Sequence, residues 1–167
     1  MHNLSVAELL KADHLLQEIH IKGWVKTFRS NRFIALNDGS TIKNIQCVLD
    51  FENTSEDVLR LITTGAAVEL KGILVESQGR GQTVEIQISE IIILGASNPE
   101  EYPIQPKKHS MEFLRDNAHL RIRTNTFSAV MRIRSVLSFA IHQYFINNGF
   151  YYFHAPIITG SDAEGAG

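Results

Sequence analysis

At 167 residues, 44% hydrophobic and 20% charged, with a formal net charge of −2, the chain has an ordinary globular composition. That length suits one good core or one and a half domains. A single cysteine, Cys47, excludes an internal disulfide framework and fits a reducing compartment; its strand setting reads as a small buried apolar residue. No stretch approaches the ~18 apolar residues of a membrane span. The mildly acidic opening, MHNLSVAELLKADHLLQE, lacks the basic-then-apolar order of a secretion signal, so a cytoplasmic location is expected.

The small net charge hides an asymmetry. Residues 1–106 carry nine Lys/Arg against fourteen Asp/Glu, whereas residues 107–134 carry seven against two. A basic segment beside an acidic one is either a polyanion contact or a solvated, internally paired stretch. The seven histidines, His2, His14, His20, His109, His119, His142 and His154, show no metal-ligand spacing, and no metal site is expected.

In chain order, Ser5, Glu8, Leu9 and Leu10 suggest a short leading helix. Five Val- and Ile-rich segments then mostly alternate in polarity, over residues 18–28, 32–38, 42–50, 67–76 and 83–94. Turn residues lie between them, with NDGS at 37–40, TTG at 63–65 and QGRGQ at 78–82. After the third strand, SEDVLRLITT reads as a short helix, with Ser55 as N-cap, acids in its first turn and Gly65 closing its end. Five strands with a helix after the third predict an all-β OB-fold barrel. Gly23 and Gly72, each inside a strand, are expected at the bulges or bends that close it.

GASNPEEYPIQPKKHS, with three prolines in eight residues, reads as a semi-rigid linker. MEFLRDNAHL predicts one helix. A longer helix runs from Thr126 to about Asn148, with Phe127, Val130, Ile133, Leu137, Ile141 and Tyr144 on one face and Asn148–Gly149 as its stop. FYYFHAPII reads as a strand broken by Pro156. A long helix and a lone strand cannot bury both their faces, so the second domain is expected to be incomplete. The expected division is 1–96 barrel, 97–124 hinge, and 125–167 the start of an α+β domain.

A tight hairpin centred between Gly39 and Ser40 makes cross-strand partner numbers sum to 79. Ile34 then meets Ile45 in the core, and Phe33 lies with Gln46 on the outer face. An aromatic ring beside an amide, outside an OB barrel, suits a stacked and edge-read nucleobase, and Lys22, Lys26, Arg29 and Arg32 add a basic cluster. The alternative is that Phe33 packs under a loop or the leading helix while Gln46 is simply solvated. Pattern alone leaves both open.

GWV at 23–25, Arg29, RFIALNDGS and NIQCV resemble the anticodon-binding barrel of the class IIb aminoacyl-tRNA synthetases. YPIQPKKHSMEFLRDNAHLRIRTNTFSAVMRIRS and HAPIITGSDAEGAG narrow the resemblance to the bacterial asparaginyl type, and it covers nearly the whole chain. The resemblance implies an α+β class II catalytic domain after the barrel, beginning with a helix and strand around Pro156 that form a homodimer interface. It implies that Phe33 stacks on the central anticodon uridine of tRNA(Asn), that Gln46 bonds that base's edge, and that Arg29 contacts an anticodon base or its backbone. It further implies that Glu164, with Ser161 nearby, meets the ammonium group of the amino acid. The implied full-length enzyme joins asparagine to its tRNA using ATP and Mg²⁺. The family's ATP-binding arginines are expected beyond Gly167, so this chain alone is expected to bind neither cofactor and to be inactive. Rival readings are an aspartyl or lysyl relative and a stand-alone OB module for single-stranded nucleic acid.

Overall fold

The computed structural model describes residues 4–79 and 81–158, and these fall into two compact units, residues 1–128 and 129–167. The first holds five strands in chain order: β1 (Glu18–Arg29), β2 (Phe33–Asn37), β3 (Ile45–Val48), β4 (Ala67–Glu76) and β5 (Val84–Gly95). They close into a barrel in the order β1-β2-β3-β5-β4, with β3 and β5 parallel and the other pairs antiparallel. This is the expected OB-type layout, including the helix after the third strand, α2 (Glu56–Leu61), capped by Ser55.

Alternation decides what is inside. Ile34 and Leu36 on β2, Ile45 and Cys47 on β3, and Leu70 and Leu74 on β4 are fully buried, while the residues that adjoin them along each strand lie on the outer face. Burial holds the Cys47 thiol well above its ordinary pKa, as suits a packing residue. The leading helix, α1 (Val6–Leu9), places Val6 and Leu9 in the same core. Its N-terminus is closed twice. Ser5 and Glu8 form a capping box, and the Val6 and Ala7 amides donate to Asp38 Oδ2 (2.9 Å) and Ser40 Oγ (3.0 Å).

Those bonds explain a departure from the expected register. Asp38 and Ser40 are engaged with α1, and the Asn37 amide donates to the Thr41 and Lys43 carbonyls, so residues 38–44 form a long loop instead of a two-residue turn. Ile34 pairs with Cys47 and Phe33 with Val48, a shift of two from the expected pairing. A shift of two preserves the side-chain faces. Gly72 sits at a register break against β5, where a Cβ would run into the Gln87 carbonyl. Gly23 instead allows the Asn37 carbonyl close to its Cα, and the β1 irregularity falls at Lys26.

The segment after the barrel packs on it. The Thr63 hydroxyl donates to the Ser97 carbonyl (2.5 Å). Ile104 and Leu114, the latter on α3 (Met111–Asp116), bury against Phe127 in a second small core. The predicted single helix over 111–120 ends early, at Asp116, and a 3₁₀ turn follows at Arg121–Arg123.

The last helix, α4, spans Asn125–Asn147, within a residue of the expectation at each end. In the second unit its apolar residues are exposed, among them Ile133, Leu137, Ile141 and Tyr144. Residues 150–158, expected as a strand around Pro156, form none, and Pro156 is exposed. The expected amino-acid contacts Ser161 and Glu164 lie outside the described residues. No helix among the described residues is long and apolar enough to cross a membrane.

Candidate nucleic-acid interface

Barrel closure gathers one outward face from β1, β2, β3 and β5. Arg29 pairs directly with Phe33 across β1 and β2, and Phe33 with Val48 across β2 and β3. Gln46 pairs with Ala35, one step diagonal to Phe33, and with Glu85 on parallel β5. Diagonal neighbours on one face lie ~7–8 Å apart, within reach of a ring and a long amide. The three residues expected to meet a base, Arg29, Phe33 and Gln46, therefore share a surface, with Phe33 half-buried.

The Gln46 amide is oriented. Its Nε2 donates to Glu85 Oε2 at 3.2 Å, and the same carboxylate oxygen accepts from the Ser77 hydroxyl at 2.9 Å. With Nε2 committed to Glu85, the amide oxygen becomes the acceptor that Gln46 can offer a ligand. Sequence reasoning did not find Glu85 or Ser77. Their role depends on the parallel β3–β5 pairing, a long-range contact that no local pattern encodes.

The expected basic cluster divides. Lys22 lies seven residues from Arg29 along β1, roughly 23 Å at strand rise, and pairs with Glu69 at 3.1 Å. Lys26, at the β1 irregularity, donates to the Arg123 backbone carbonyl; burial first, and the Arg123 charge second, hold its pKa below the ordinary lysine value. Arg29 and Arg32 stay with Phe33, and among the described residues neither forms an ion pair. The basic stretch after residue 106 is also partly spoken for. Arg123 lies 4.6 Å from the Trp24 ring centroid and Arg121 4.5 Å from that of Phe127.

No group of three or more His, Cys, Asp or Glu among the described residues could hold a metal ion. The face can stack a planar ring, accept a hydrogen bond at a fixed amide oxygen, and present two guanidinium groups that form no ion pair among the described residues. That combination fits single-stranded nucleic acid.

Comparison with known proteins agrees. A family model described as an OB-fold nucleic acid binding domain of the tRNA anti-codon type matches residues 19–94. The asparagine–tRNA ligase of Parabacteroides distasonis is 54% identical over 165 residues, which is 97% of this chain and 35% of that protein. The same enzyme of Cytophaga hutchinsonii is 51% identical over 172 residues, 100% of this chain and 37% of that protein. Asparaginyl-tRNA synthetase from Pyrococcus horikoshii, crystallised with asparaginyl-adenylate, aligns at a TM-score of 0.79 over 94% of this chain and 37% of that one; at 22% identity the likeness shows the fold. More than half of the residues are shared with asparagine–tRNA ligases along nearly the whole chain, which carries a barrel matching the tRNA anti-codon type and spans about a third of the length of the curated relatives it matches.

Proposed function

We propose that this chain supplies the anticodon-reading part of an asparagine–tRNA ligase, with residues 1–96 as the reading domain, 97–124 as a hinge and 125–167 as the start of the catalytic domain. One observation supports this most: Arg29, Phe33 and Gln46 share an outer face on which Glu85 orients the Gln46 amide. Phe33 stacks on the central anticodon uridine of tRNA(Asn), and Gln46 Oε1 accepts from the uracil N3–H. Arg29 meets an anticodon base or its phosphate. Stacking of this kind contributes ~1–3 kcal/mol per base.

The whole enzyme, in this reading, activates asparagine with ATP and Mg²⁺ in the cytoplasm and passes it to the 3′ end of the tRNA. Glu164 and Ser161 contact the amino acid. The adenylate-forming chemistry belongs to parts of the protein outside the described residues, so purified chain is expected to show no asparagine-dependent pyrophosphate exchange.

The anticodon reading is tested by titrating the chain with an anticodon stem-loop at low, stated salt, beside Phe33→Ala. A loss on the order of 10- to 100-fold is expected from the stacking term. Equal affinity of the two proteins contradicts the reading. The exposed apolar face of α4, with Pro156 after it, is assigned to a second copy of the chain. Light scattering is expected to find a dimer, and a monomer at high concentration removes that assignment.

A further inference from the structure

Between β1 and β2 the chain reverses at Ser30 and Asn31, which lie at φ +53° and +49°. Both are in the left-handed region, as in the primed turns that fit a twisted hairpin. The Arg32 amide donates to the Arg29 carbonyl at 3.1 Å, closing this turn, yet the strand residue opposite Arg29 is Phe33. Arg32 is thus one residue extra on the β2 side, a bulge at the mouth of the hairpin. Bulged residues leave the side-chain alternation of their strand and are re-aimed. The Arg32 carbonyl accepts from the Leu49 amide at 2.8 Å, which ties the bulge to the chain leaving β3.

The re-aimed side chain lies over Phe33, its guanidinium carbon 5.8 Å from the ring centroid. It is exposed, with no ion pair among the described residues. A planar base held between two flat groups needs about 7 Å between them, two contacts of ~3.5 Å. The gap is short of that by little more than an ångström, within the swing of an exposed arginine whose backbone is fixed on both sides. Guanidinium planes stack on bases as aromatic rings do.

We propose that Arg32 is the second plate of the base site: an unstacked nucleobase enters between the Arg32 guanidinium and the Phe33 ring. In the free protein the cation–π contact holds the plate near its working position. This rests on the reading of Phe33 as a stacking platform. Arg32 specifies a flat base without reading its edge, which falls to Gln46.

The test compares wild type, Arg32→Ala, Arg32→Lys and Phe33→Ala on two stem-loops, one with the central uridine and one abasic at that position. Arg32→Ala is expected to weaken binding of the intact loop about five- to tenfold. Arg32→Lys, charged but not planar, is expected to stay within about twofold of Arg32→Ala. On the abasic loop all three Arg32 proteins are expected to bind alike. Restoration of wild-type affinity by lysine, or an equal loss on both loops, makes Arg32 a phosphate contact and overturns the plate. Weakening by Phe33→Ala without weakening by Arg32→Ala removes the plate and leaves the platform. No effect of Phe33→Ala removes the platform itself.

Discussion

Glu69 on β4 meets two side chains from the strand beside it. His20 Nε2 lies 2.5 Å from its Oε1 and Lys22 Nζ 3.1 Å from its Oε2. The hydrogen bond from His20, and next that from Lys22, hold the carboxyl below its ordinary value of 4.5. A depressed carboxylate pKa stabilises the fold above the unfolded value, and that contribution is lost as pH falls through the folded one. Glu69→Gln is therefore expected to melt below wild type at pH 6, with the gap closing as the pH drops under about 4.5. Thermal melts from pH 3.5 to 7 read this directly, and a gap of constant size contradicts it. At this same scale the residues proposed to hold a base divide by the origin of their geometry. Phe33 and Gln46 were legible because period-2 alternation alone puts both outside, and even the two-residue error in register left them there. Arg32 and Glu85 were not legible as partners. One depends on a bulge at a turn of non-glycine residues with positive φ, the other on a parallel pairing across nearly forty positions.

Among the elements, those whose own residues determine them were read most closely. α4 shows a sustained helical period and a glycine stop, and β4 and β5 clean strand composition, and each was located within a residue; α2 starts at its serine cap as expected but ends at Leu61, short of the Gly65 stop. The misreadings share one cause, competition from outside the element. NDGS carries turn chemistry, but its Asp38 and Ser40 serve α1, thirty-odd residues earlier, and the hairpin opens into a loop. Residues 150–158 have strand-forming side chains, but a strand needs a neighbour. In β1 the glycine at 23 marked a close backbone approach, while the break in register fell at Lys26, the residue whose side chain reaches the Arg123 carbonyl.

Across the whole molecule, the charge asymmetry takes on a different meaning once the side chains are in place. Arg121 and Arg123 rest on aromatic rings of the first unit, and Lys26 and Lys22 are held by neighbouring oxygens, so much of the basic inventory is structural. The guanidinium groups of Arg29 and Arg32 flank Phe33, and neither forms an ion pair among the described residues; Arg29 is left for a phosphate or a base, and Arg32 for the flat face of a base. Affinity for a stem-loop then combines a salt-dependent phosphate part with a base-dependent part, and the second separates anticodon reading from generic binding. The most direct measurement is the affinity of the wild-type chain, at one fixed salt concentration, for two anticodon stem-loops that differ only in uridine or cytidine at the central position. Cytidine stacks equally well but presents an N3 lone pair where uridine presents N3–H, so it faces the Gln46 oxygen acceptor to acceptor. A preference for uridine of about tenfold or more is expected. Equal affinity for the two loops would contradict the account.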